Sequence, residues 1–207
     1  KARSMSTQRP TPTRTPASAR AAPFRDAAEW ARGRSWAVRL PLLLWFAWIL
    51  RGHLRDPLYT SLFGGLNLGI HELGHFVFQP LGEFPGVAGG TLLQCLAPIV
   101  AMVMFRRQGD WFAIAVAWCW LGTNLFNVAT YAADARAQAL PLVSPVSGDP
   151  LHDWALMLGR LGLLEHDLAI GAALRFAGAA TMLVGLAGGA WLLWRMARPL
   201  PEPAPGG

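Results

Sequence analysis

Lysine is all but absent from this chain: of its 18 basic residues only Lys1 is a lysine, and the rest are arginine. Charge of any kind is sparse, at 14% of 207 residues, against 53% hydrophobic side chains and ten tryptophans. With several arginines placed at the ends of apolar segments, where they can meet lipid head groups, the net charge of +6 does not argue for nucleic acid. Cysteine is limited to Cys95 and Cys119, both inside apolar runs, which excludes a disulfide framework. Residues 1–22 hold scarcely any large apolar side chain and no apolar h-region, so neither a packed core nor a cleavable secretory signal is expected there. The closing stretch, rich in Pro and Gly, is expected to be unstructured as well. Tails over 1–24 and 198–207 therefore frame one membrane-embedded domain, 25–197.

What is present is a series of long apolar segments. Residues 40–50 are intensely hydrophobic but bounded by Arg39 and Arg51, hence short for a span unless both arginines snorkel. Residues 59–79 end at Pro80, residues 92–105 follow a glycine-rich connector, and residues 111–133 and 176–194 are of full spanning length. The fold expected is all-α: a polytopic integral membrane protein with four to five transmembrane helices. The connector, residues 82–90, has too many helix breakers to be helical and reads as a re-entrant loop, an edge strand or a linker. Leu151, Trp154, Leu158 and Leu161 recur at helical spacing among polar residues, predicting an amphipathic interfacial helix. If residues 40–50 do not cross, the N-terminal arginines, Arg106, Arg107, Arg195 and Arg198 share one side, which would be cytoplasmic, and this favours four crossings.

Within the second segment lies His71-Glu72-Leu73-Gly74-His75. Two histidines four residues apart share a helix face and can turn ring nitrogens toward one tetrahedral metal, while Glu72 stands beside them as a candidate general base. Each ionisable group at membrane depth costs about 2.5–3.5 kcal/mol on insertion scales, so a satisfied core histidine would explain one of the three residues and not the trio. Two histidines do not complete a catalytic zinc site, which needs a third protein ligand. Residues 92–105 and 111–133 cross twice, so the loop beginning near Asp134 returns to the side of His75. His152 and Asp153 are candidates there, expected in the first turn of a helix capped by Asp149 and begun by Pro150. Asp134 is the alternative ligand or a group supporting the ligands, and His166 or Asp167 follow. Asn124, Asn127, Tyr131 and Asp134 draw one polar stripe along a helix. Asn124 and Asn127 read either as interhelical hydrogen-bond partners or as contacts for substrate or an oxyanion.

The His-Glu-Leu-Gly-His-Phe run in an apolar helix, the glycine-rich stretch directly after it and the downstream asparagine-bearing helix resemble the site-2 protease family of intramembrane zinc metalloproteases. The resemblance covers roughly residues 58–136. It implies one zinc ion held by His71, His75 and a distant aspartate, Glu72 as base, and a membrane-embedded peptide or protein as substrate in the bacterial inner (plasma) membrane. Downstream the sequence departs from the family pattern, with Asn127 where proline is expected and Asp134 in Ala-Asp-Ala instead of Leu-Asp-Gly. A non-proteolytic membrane metal-binding or assembly protein retaining the zinc site is the alternative.

Overall fold

The computed structural model describes residues 16–141 and 152–199, with side chains from Phe24 onward. The described elements are all helical: α1 (Pro16–Ala31), α2 (Leu40–Arg55), α3 (Phe63–Phe78), α4 (Glu83–Gln108), α5 (Trp111–Ala133), α6 (Asp153–Arg160) and α7 (Asp167–Met196). Local chemistry sets several of these boundaries. Proline in the first turn starts α2. The Asp110 carboxylate accepts from the Ala113 amide at 3.0 Å to start α5. Gly109, at φ 72°, ends α4 in the left-handed conformation that lets the chain reverse. Pro80 falls in the 3₁₀ turn Gln79–Leu81 that closes α3.

Three stretches, Glu83–Gln108, Trp111–Ala133 and Leu164–Met196, are long and apolar enough to cross a membrane by length and composition. Their outward faces carry exposed Val100, Met104, Phe176 and Leu183, which suits acyl chains. The antiparallel pair α5 and α7 forms the centre. Gly171, Gly178 and Gly185 recur every seven residues and let α7 approach α5 closely: a β-carbon at Gly185 would stand 2.6 Å from Cys119 Sγ, and one at Gly171 2.7 Å from Ala133 Cβ. Where lipid offers no hydrophobic drive between helices, such close contact supplies the dispersion energy that holds them. Phe46, Ile49 and Leu50 of α2 bury against Cys119, Phe126 and Met182, and α1 packs Ala27 and Ala31 onto Leu192, Leu193 and Met196.

The glycine-rich connector is not a loop. Residues 83–90 form the first two turns of α4, and α3 and α4 make an antiparallel hairpin with backbones in contact. A β-carbon at Gly74 would lie 2.2 Å from the Gly89 carbonyl oxygen, and one at Gly89 2.5 Å from that of Gly74. Glycine weakens an isolated helix, but here its missing side chain allows the backbone contact through which α3 and α4 pack. Three further boundaries differ from the sequence reading. Helix α1 begins inside the stretch expected as a tail, residues 40–50 extend into a helix running to Arg55, and residues 57–62 precede α3 without helical structure. Residues 1–15, 142–151 and 200–207 lie outside the described residues, so the expected tail ends and the Asp149-Pro150 cap lie there too.

The two ends of the bundle differ in charge. At the end where α4 finishes and α5 begins, Arg34, Arg106 and Arg198 lie over the rings of Trp30, Trp111 and Trp194. The opposite end holds Glu83, Asp134, Glu165 and Asp167. Arg136 pairs there with Asp167 at 2.7 Å and with Glu165 at 3.0 Å, and Arg160 with Glu83.

Candidate metal centre

Helix α3 aims His71 and His75 at the start of α6. His71 Nε2 lies 3.0 Å from Asp153 Oδ2 and His75 Nε2 lies 3.3 Å from the same oxygen. One ligand atom from each of the three residues falls within 4.8 Å of the others. Bonds of 2.0–2.1 Å to a tetrahedral ion imply donor separations of roughly 3.3–3.4 Å, so two neutral imidazoles and a carboxylate in this arrangement fit a zinc-like cation. His71 and Asp153 are buried, His75 is half-buried, and α4 closes the floor: a β-carbon at Gly90 would sit 2.5 Å from His71 Nε2.

The other nitrogen of each ring is held by an acceptor. His71 Nδ1 donates to Gln94 Oε1 at 2.8 Å, and His75 Nδ1 donates to the Gly86 carbonyl at 2.9 Å. These bonds keep a proton on Nδ1 of each ring, so that Nε2, which donates to Asp153 Oδ2 when protonated, is the nitrogen that can give its lone pair to a metal, as metal-ligating histidines require. Gln94 is oriented in turn by donating from Nε2 to the Asn124 carbonyl at 3.5 Å. Burial opposes charge on Asp153, yet the hydrogen bonds and positive fields of His71 and His75 hold its carboxyl below the ordinary carboxylate range.

Asp153 owes its position to how α6 begins. His152 is the N-cap: its Nδ1 accepts from the Ala155 amide at 3.2 Å, and its Nε2 faces Asp134 Oδ2 at 3.3 Å. Both nitrogens are thereby engaged, so His152 supports the helix start and does not join the pair of histidines. Asp134 is occupied as well, accepting from the Ala139 and Leu140 amides at 3.0 Å each. Of the sequence candidates for the third ligand, Asp153 alone converges on the histidines, and Asp167 turns to Arg136. The Asp153 amide donates to Tyr131 Oη at 3.1 Å, and Trp154 Nε1 donates to Thr91 Oγ1 at 3.3 Å, tying α6 to α5 and α4.

Glu72 lines a cleft of about 580 Å³ together with His71, His75, Asn127, Tyr131 and Asp153. From Glu83, at the acidic end of α4, to Gly90 beside His71 is seven residues, so the centre lies roughly 10 Å below that end. The asparagine stripe divides. Asn127 Oδ1 accepts from Asn67 Nδ2 at 2.7 Å, and Asn67 Oδ1 accepts from Trp120 Nε1 at 2.9 Å, a network joining α3 to α5. Asn124 is buried, bonds the Trp120 carbonyl at 3.1 Å and does not reach the cleft surface. Sequence reasoning missed Gln94, Asn67 and Gly86. Gln94 and Asn67 were visible as lone amides in apolar runs, whereas Gly86 acts through its carbonyl and leaves no residue-type signal.

No family model, curated protein or solved structure matches this chain.

Proposed function

We propose that this protein is an intramembrane zinc metallopeptidase that cleaves membrane-embedded peptide segments. The observation that carries the reading is the convergence of His71, His75 and Asp153 in the same cleft as the Glu72 carboxylate. Bound between the three, zinc would polarise a peptide carbonyl and acidify a water. Glu72 takes the proton of the attacking water and delivers it to the leaving amine as the C–N bond breaks, so one carboxylate serves as base and then acid. Gln94 and the Gly86 carbonyl keep the imidazoles aimed, and His152 with Asp134 keeps Asp153 in place.

His152 is spent on its cap and on Asp134, and among the described residues no fourth His, Cys, Asp or Glu joins the three. That leaves room for substrate, as a catalytic zinc needs. In this reading α2 and α3 together make one passage, and α4, α5 and α7 make three more, giving four crossings. The arginine-rich end then faces the cytoplasm and the metal lies in the opposite half of the bilayer. The test is zinc content measured on detergent-purified protein alongside cleavage of transmembrane test peptides. Glu72→Gln is expected to keep one zinc per chain and lose cleavage. Wild-type protein that binds no metal overturns the proposal.

A further inference from the structure

Arg175 is the one charged side chain of α7 between its first turn and its last. It stands eight residues from Asp167, roughly 12 Å along the helix, at a depth where an arginine costs about 2.5–3.5 kcal/mol and faces protein or a cavity. Arg175 lines a second cavity, of about 270 Å³, with Thr130, Asp134 and Gly171. Pro57, Leu58, Thr130 and Leu140 border both this cavity and the metal cleft, so the two are adjoining parts of one recess. On α5, Asn127 faces the first and Thr130 both, within a single helical turn.

The guanidinium is only partly used. It donates to the His53 carbonyl in the last turn of α2, and its carbon lies 5.4 Å from the centroid of the Phe126 ring. Five N–H groups are available on an arginine, and among the described residues no carboxylate pairs with this one. Asp134 borders the same cavity, but its oxygens accept from the Ala139 and Leu140 amides and meet His152.

We propose that Arg175 is an anion subsite of the cleft, which receives a carboxylate of the peptide substrate a few residues from the bond to be cut. The proposal rests on the peptidase reading and names its substrate class: segments bearing an aspartate, a glutamate or a free C-terminus close to the scissile bond. A planar guanidinium in a recess of low dielectric favours a carboxylate over the neutral amide of the same shape, because the amide would leave the cation unpaired.

The experiment uses pairs of transmembrane test peptides that differ by one Asp-to-Asn change, scanned along the segment, and full-length protein in phosphatidylcholine bilayers. Wild type is expected to prefer the Asp peptide at one position by roughly ten- to hundredfold in kcat/KM. Arg175→Gln should bring that ratio close to one and Arg175→Lys should restore part of it. The ratio is read within each variant, so a loss of folded protein cancels. Binding of the same fluorescent peptides to Glu72→Gln protein, with and without Arg175→Gln, reads the subsite without catalysis. Equal binding of Asp and Asn peptides at every position overturns the subsite, whether or not wild type cleaves them. An Asp preference in binding without any cleavage by wild type sinks the peptidase reading and leaves the subsite standing. A preference that disappears in phosphatidylglycerol bilayers assigns Arg175 to lipid phosphate and overturns the peptide assignment.

Discussion

Gly90 lies directly beneath the imidazole of His71, so close that a β-carbon on it would stand 2.5 Å from Nε2. The absence of a side chain at one position of α4 thereby gives a ring on α3 its place. Gly90→Ala should push the imidazole away from Asp153 and lower zinc affinity by roughly ten- to hundredfold, as loss of a ligand's support does. Gly188→Ala, where nothing lies within 4 Å, should leave affinity unchanged. Competition with a chromogenic chelator measures both. Equal affinities in the two variants would show that the contact does not matter.

Gln94 offers a second test through the other side of the same ring. Gln94→Leu removes the acceptor for His71 Nδ1–H and should weaken zinc binding by roughly ten- to hundredfold, whereas Gln94→Glu keeps an acceptor and should hold most of the affinity. Titration of the apoprotein with zinc separates the two. If the leucine variant binds as tightly as the glutamate one, the tautomer-fixing role is wrong.

Asp153, Asp134 and His152 should respond in a graded way. Asp153→Asn removes one of the three proposed ligands and should abolish stoichiometric zinc. His152→Ala and Asp134→Asn act only on the start of α6, so zinc should still bind, with affinity reduced by about ten- to hundredfold. Stoichiometric zinc in Asp153→Asn together with none in Asp134→Asn would reverse the assignment.

Two of the four glycines of α3, Gly74 and Gly69, should behave oppositely. Gly74→Ala collides with the Gly89 backbone and should cost roughly 1–3 kcal/mol. Gly69 has nothing within 4 Å of its added β-carbon, so Gly69→Ala should be neutral or stabilise by up to about 1 kcal/mol. Thermal unfolding in detergent orders the variants, and a Gly74→Ala protein as stable as wild type would contradict the close packing.

Metal removal gives a last measurement. Zinc bound to the native state alone stabilises it in proportion to the logarithm of free zinc over Kd, about 2.7 kcal/mol at a hundredfold excess. Chelation should therefore lower Tm in wild type and in Glu72→Gln by similar amounts, and change little in Asp153→Asn. A chelation shift of the same size in Asp153→Asn would place the ion elsewhere.

His71 and His75 could be read as partners because their relation is local: residues four apart share a face in any helix. Residues 111–133 gave the limits of α5 because a long apolar run followed by polar residues leaves little freedom in where the helix stops. The third ligand was open for a different reason. Asp134, His152 and Asp153 carry suitable donors at similar distances along the chain, and the choice depends on which residue caps α6. With His152 as the cap, Asp153 occupies the first helical position and meets the histidines.

The glycines of residues 82–90 look like helix breakers only when the segment is considered alone. Propensity describes a helix alone in water, where glycine costs stability, but α4 lies against α3, where the same residues permit contact between backbones. The sequence by itself determined the helical class, the apolar segments and the pair of histidines with Glu72 between them, because periodicity and composition act within one segment. Only the tertiary structure decided that Asp153 joins them, that Gln94 and Gly86 hold the rings, and that Arg175 borders the adjoining cavity. Each of those relations joins residues of different helices, and the packing of side chains between helices sets them.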